Sequence, residues 1–266
     1  HLASVLMGEG SYLDGGNPGL PPFHFTKRDA LAVVNGTSAS NALAVMAWWD
    51  IAALLPVVIQ SMALMVGAQR LARGAYADTM QQVRGHPGQV AVALAVRTAL
   101  NPINNSPEWP YPPEPARGTD PGIETPLSHE QSLQSAYSFR CIPQILGPTV
   151  EMLWQTGDSL EREINAVTDN PVFEIPDRVF HGGNFHGQIV AQACDSLALG
   201  VANLAILLDR QVARITDPLL NHGLPPFLTG ASAGAHSGLM GAQVSATALA
   251  AELSASAQRR YLLQSR

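Results

Sequence analysis

Nineteen consecutive residues, Ile51 to Gln69, carry no charged side chain. The run IAALLPVVIQSMALMVGAQ lies inside a longer helical pattern from Ser38 to about Gly74, with Asp50 before it and Arg70 after it. A membrane-spanning helix needs roughly 20 predominantly apolar residues, so a span and a helix hidden in a large bundle compete for this stretch. Pro56, Gln60 and Ser61 interrupt it and favour the bundle, with Pro56 as the expected kink. Either solution demands more covering surface than a small domain supplies.

The balance of residues agrees. Of 266 residues, 46% are hydrophobic and 14% charged, whereas ordinary globular domains carry about 25% charged residues. A soluble chain with so few charges is expected to hide surface against other subunits. The formal net charge of −6, without a Lys/Arg cluster, argues against a nucleic-acid partner, which selects for a basic stripe. Cys141 and Cys194 have no CxxC spacing, so neither a disulfide framework nor a zinc site is expected, and a cytoplasmic setting is the default. His86, His181, His186, His222 and His236 show no H-x-x-x-H spacing, and no metal is expected. The opening HLASVLMGEG lacks both a signal-peptide cleavage pattern and a starting Met, which suggests a piece of a longer chain.

Punctuation by Gly and Pro divides the rest. Residues 1–30 read as irregular, and GHPG (Gly85 to Gly88) separates the first long helix from a second over Gln89 to Leu100. A polar, Pro-rich loop is expected over Asn101 to Pro126, then an amphipathic helix over Thr149 to Val167. TDNP ends that helix, because Pro171 disfavours helical geometry at Asn170. A short hairpin is expected over 172–181, followed by helices over Gln188 to about Ile215 and Leu239 to about Leu263. The reading is all-α, as one helical region over 1–266.

One segment looks built for chemistry. In QSAYSFRCIPQ (Gln134 to Gln144), Gln134, Tyr137 and Arg140 fall three apart, and Pro143 is expected to stop the turn they share. The planar fork of Arg140 suits a carboxylate, through two parallel hydrogen bonds. Tyr137 is its neighbour on a helical turn. Asn35 opens the turn NGT or caps the helix after it. Asn170 is a helix stop, and Phe185, after two glycines, fits a core plug equally well.

In order along the chain, NGTSAS (Asn35 to Ser40), HPGQ (His86 to Gln89), AYSFRCIPQ, EINAVTDNP (Glu163 to Pro171), HGGNFHG (His181 to Gly187), LDRQ (Leu208 to Gln211), GLPPFL (Gly223 to Leu228) and GAQVSATALAAE (Gly241 to Glu252) resemble the aromatic amino acid ammonia-lyases and the related aminomutases. The resemblance runs from His1 to about Ser256; the tail QRRYLLQSR fits no pattern in it. It implies a fold like that of fumarase and aspartase, with long antiparallel helices forming the central bundle of a homotetramer whose active sites are shared between subunits. It also implies elimination of ammonia from an aromatic L-amino acid by way of a 4-methylideneimidazol-5-one (MIO) group made from an internal Ala-Ser-Gly. That triad does not occur here, so the MIO and lid segment and a C-terminal remainder are expected outside this chain, which alone should be inactive. Transferred residue by residue, the resemblance gives Arg140 to the substrate carboxylate, Tyr137, facing the MIO ring, to proton movement or amine orientation, and Gln134 to substrate or ring. Asn35 would bond the MIO carbonyl, Asn170 approach the MIO or the amine, and Phe185 pack against the prosthetic group or substrate. HGGNFHG, LDRQVARITD and GAQVSATAL sit nearest to tyrosine ammonia-lyases; histidine ammonia-lyase, an aminomutase and a non-catalytic helical scaffold are the rival readings. The charges of LDRQVARITD are expected to form inter-helix ion pairs.

Overall fold

The structure, a computed structural model, describes residues 2–12, 14–16, 19, 21–104, 134–174, 176–230 and 235–257. Most of the Pro-rich loop and the tail QRRYLLQSR lie outside the described residues. In chain order the helices are α1 (Leu2–Leu6), α2 (Lys27–Asn35), α3 (Ser38–Ala68), α4 (Asp78–Gln82), α5 (Pro87–Asn104), α6 (Tyr137–Arg140) and α7 (Ile142–Ile164). A hairpin of β1 (Val172–Glu174) and β2 (Arg178–Phe180) follows, then α8 (Gln188–Thr216) and α9 (Met240–Ser256). The all-α class expected from the sequence is what the structure shows.

Three local expectations change. Within 1–30 the chain is not wholly irregular, because α2 begins at Lys27. Its start is set by a capping box: Thr26 Oγ1 accepts from Asp29 N–H at 3.3 Å, and Asp29 Oδ2 accepts from Thr26 N–H at 3.0 Å. The Thr26 hydroxyl, donating to Asp29 Oδ2 at 2.7 Å, and then the Thr26 N–H hold the Asp29 carboxyl below its ordinary range; desolvation opposes them and the Arg28 charge adds to them. Pro143 does not simply stop a turn: it is the second residue of α7, where its missing N–H has no helical acceptor to lose. The stretch Asn101–Asn104, expected as loop, continues α5.

The chain forms two compact units, one of residues 1–48 and 157–193, the other of residues 49–156 and 194–266. The core of the second unit gathers one face from each of α3, α5, α7 and α8. On α3 the buried residues Ile59, Met62, Ala63 and Val66 recur at helical spacing, on α5 Val92, Val96 and Leu100, and on α7 Ile142, Leu146 and Val150. Glycines let these helices approach closely. A Cβ at Gly147 of α7 would lie 2.7 Å from Gln89 N of α5. One at Gly200 of α8 would lie 2.9 Å from Thr149 Cγ2, and the Thr149 hydroxyl donates to the Gly200 carbonyl at 3.2 Å.

By length and composition α3 and α8 are apolar enough to cross a membrane, yet each buries one face in this protein. The opposite face of α3 carries Leu43, Met46, Leu54, Val57 and Leu64, all more than half exposed. The helix continues through Pro56.

In the first unit, Asn41 Nδ2 of α3 donates to the Leu160 carbonyl of α7 at 3.3 Å, and Gly157 admits the Trp48 ring, whose Cζ2 a Cβ there would meet at 3.0 Å. The expected hairpin is present, with Val172 opposite Phe180 and Glu174 opposite Arg178.

Candidate active site

The six sequence candidates fall in two groups, one in each unit. Gln134, Tyr137 and Arg140 belong to the second, where the single turn of α6 displays Tyr137 and Arg140 and Gln134 lies three residues before it. Phe139 is fully buried, and its carbonyl accepts a 2.7 Å hydrogen bond from the buried Tyr76 hydroxyl. The Ser138 carbonyl accepts one from Gln211 Nε2, also at 2.7 Å. With the turn held by its backbone and Phe139 pointing in, Tyr137 is turned out, at 72% exposure. Sequence reasoning missed Tyr76 and Gln211 as supports; the one available signal was that Gln211 closes the LDRQ motif.

The three residues spaced three apart do meet. The Arg140 guanidinium lies 4.4 Å from the centre of the Tyr137 ring, and its Nη1 donates to Gln134 Oε1. Arg140 Nε is buried without a hydrogen-bond partner among the described residues. The donors left on the terminal nitrogens have the parallel geometry that a carboxylate takes.

Tyr137 also borders a cavity of about 720 Å³, with Arg210, Arg214, Asp217, Phe227 and Gln243. Drug-sized ligands fit cavities of about 300–1,000 Å³. Gln243 and Arg214 were not among the candidates. Gln243 accepts from the Thr216 hydroxyl at 3.0 Å, tying α9 to α8. The inter-helix ion pairs expected of LDRQVARITD are corrected here: Arg210 pairs with Asp209, its own neighbour, and the link to α9 is the Thr247 hydroxyl, 2.7 Å from Asp209 Oδ1. Burial would raise the Asp209 carboxyl, but hydrogen bonds from Thr247 and Arg210 and the Arg210 charge outweigh it and hold the group below its ordinary range.

Asn35, Asn170 and Phe185 belong to the first unit. Asn35 is the last residue of α2; its side chain is exposed and makes no hydrogen bond among the described residues. Beyond it, Thr37 N–H donates to Thr168 Oγ1 at 3.3 Å and the Thr37 hydroxyl donates to Glu163 Oε1 at 2.6 Å. Asn170 is placed by the hairpin register. With Val172 opposite Phe180, counting back sets Asn170 opposite Gly182. The Asn170 amide extends the ladder there, accepting from Gly182 N–H at 3.2 Å and donating to the Gly182 carbonyl. One amide hydrogen and one carbonyl lone pair remain for another partner. Phe185 lies in the turn that follows, 46% exposed, so it is not a core plug within this chain. The turn is fixed by Asn184 Nδ2 donating to the Val167 carbonyl at 3.2 Å and His186 N–H donating to the Gly183 carbonyl at 2.9 Å.

Among the described residues no cluster of His, Cys, Asp or Glu could hold a metal ion. What the two groups offer is an arginine fork beside a phenol in one, and an open amide, a partly used amide and an aromatic ring in the other.

The family model for aromatic amino acid lyases matches residues 1–262. The chain belongs to the aromatic amino acid lyase family. It is 40% identical to the tyrosine ammonia-lyase of Cereibacter sphaeroides, covering 96% of this chain and 50% of that protein. It is 33% identical to the histidine ammonia-lyase of Bradyrhizobium diazoefficiens, covering 95% and 47% respectively. The solved tyrosine aminomutase from Streptomyces globisporus superposes with a TM-score of 0.80 at 30% identity, over 96% of this chain and 51% of that one. The chain thus spans about half the length of the lyases it matches. The helical fold expected for the family, like that of fumarase, is the fold of this chain.

Proposed function

We propose that the protein to which this chain belongs is an ammonia-lyase that removes ammonia from an aromatic L-amino acid, tyrosine or phenylalanine, leaving the α,β-unsaturated acid. The observation that carries this reading is the Tyr137–Arg140–Gln134 cluster, with its guanidinium 4.4 Å from the phenol ring, in a chain 40% identical to a tyrosine ammonia-lyase. Arg140 binds the substrate carboxylate as a bidentate pair, in the place where Gln134 Oε1 now accepts. Gln134, displaced, turns its amide to the substrate. Tyr137 holds or moves a proton at Oη as the amine leaves.

The family's MIO group forms from an Ala-Ser-Gly, which these 266 residues do not contain; the residues present fit such a group. Asn35 presents an open amide suited to a ring carbonyl, and the exposed ring of Phe185 offers a packing surface. Asn170 uses its remaining amide hydrogen and lone pair toward the amine. When bound, MIO supplies the electrophile that makes ammonium a competent leaving group. We place the protein in the cytoplasm, as a homotetramer with sites shared between subunits; the uncovered apolar face of α3 supports the assembly.

The TM-score of 0.80 to a tyrosine aminomutase favours a second reading, in which ammonia is returned to the β-carbon. Incubating the complete protein with L-tyrosine, L-phenylalanine or L-histidine, and measuring ammonia, unsaturated acid and β-amino acid, separates the possibilities. Unsaturated acid with equimolar ammonia from tyrosine or phenylalanine is expected. A β-amino acid product would assign the mutase, turnover of histidine alone the histidine lyase, and no turnover of any substrate the non-catalytic scaffold.

A further inference from the structure

Arg28 stands on the first turn of α2, seven residues before Asn35. At 3.6 residues per turn the two share one face of that helix. Its guanidinium reaches four of the five residues from Asp169 to Phe173. Nη1 donates to Asp169 Oδ2 at 2.8 Å and to the Asn170 carbonyl; Nη2 donates to the Pro171 carbonyl at 2.8 Å. Cζ also lies 5.7 Å from the centre of the Phe173 ring. Asp169 is buried, and Arg28 is its hydrogen-bonding partner among the described residues. A plain surface ion pair would need none of this. Beyond the Asp169 carboxylate, the fork is spent on two backbone carbonyls, that of Asn170, whose side chain bridges to Gly182, and that of Pro171 after it.

We infer that Arg28 is a positioning residue of the site, acting through Asn170: it clamps the Asp169–Phe173 segment so that the Asn170 amide stays in register with Gly182. The inference rests on the lyase reading of Asn35 and Asn170. It needs an arginine, because a lysine ammonium can pair with Asp169 but cannot span the Asn170 and Pro171 carbonyls as well. Thr37, bonded to Thr168 and Glu163, ties the other end of α2 to the same segment but touches none of residues 169–173 through those bonds.

The test is a double-mutant cycle in the complete protein with Arg28→Gln, Asn170→Ala and both, with Arg28→Lys alongside. If Arg28 works through Asn170, each single substitution lowers kcat about tenfold or more with a smaller change in KM. The double variant is then no slower than the slower single one, to within about twofold. Arg28→Lys recovers only part of the loss and serves as the variant for the cycle if Arg28→Gln does not fold. A wild-type kcat for Arg28→Lys, or losses that simply multiply in the double variant, would overturn the assignment and leave Arg28 a stability brace. A readout independent of activity is amide hydrogen exchange. The 169–183 segment should exchange about tenfold faster in the Arg28 variant while the α5 and α7 core stays protected; unchanged exchange would overturn the clamp. Absence of any turnover by the wild-type protein would instead sink the lyase reading, with exchange still deciding the clamp.

Discussion

On the proposed reaction, Arg140 and Tyr137 divide the chemical work by geometry. The guanidinium is planar, lies 4.4 Å from the phenol ring, and keeps terminal donors beyond the one given to Gln134. Lysine would keep the charge and lose the fork. Arg140→Lys in the complete enzyme should therefore raise KM about tenfold or more, roughly what one strong charge-assisted hydrogen bond is worth; steady-state kinetics on the preferred amino acid checks this. Tyr137→Phe removes only the hydroxyl of a side chain that is mostly exposed. Turnover should fall about 100-fold or more, as for loss of a general acid–base group, while circular dichroism and assembly stay unchanged. His222 gives a pH signature distinct from catalysis. Burial, and then the Arg214 charge, press its pKa below the ordinary histidine value. Below about pH 6.5 the unfolded chain binds a proton that the folded one resists, so stability is full above that pH and falls as the pH drops toward the lowered folded value. His222 has φ of 58°, a region that Asn tolerates. The His222→Asn variant should fold and show a flatter loss of stability between pH 7 and pH 5 in thermal melts.

The helices follow from patterns that a sequence displays openly. Apolar residues at spacings of three and four mark α5, α7 and α8, and their buried faces are those residues. Close approach is carried by single glycines, which periodicity does not reveal: Gly147 against Gln89 and Gly200 against Thr149. Gly147→Ala should cost about 1–3 kcal/mol, as overpacking does, read as a lower urea midpoint with an unchanged slope. Phe139→Ala should cost more, about 3–5 kcal/mol, because it empties a fully buried site and loosens α6. The start of α2 was legible in Thr26-x-x-Asp29 but lay in a stretch crowded with Gly and Pro. Candidate residues could be picked from motifs, yet their partners could not. That Asn170 bridges to Gly182 depends on strand register, and that Gln211 supports α6 depends on a carbonyl 73 positions away in sequence.

The uncharged run that constrains the fold also bears on assembly. One face of α3 is buried through Ile59, Met62 and Val66, and the opposite face keeps Leu43, Met46, Leu54, Val57 and Leu64 exposed. An apolar helix with only one covered face calls for a second surface. On the homotetramer proposal that surface is another subunit. Replacing Val57 and Leu64 by Glu should then shift the native mass from tetramer to smaller species and abolish turnover, since the sites are shared. An unchanged mass would place the contact elsewhere. The claim on which the rest depends is the reaction itself. Its most direct measurement is product analysis of the complete protein supplied with L-tyrosine and with L-phenylalanine. Ammonia and the matching α,β-unsaturated acid, in equal amounts, are the predicted result; no ammonia and no unsaturated acid from either amino acid would contradict it.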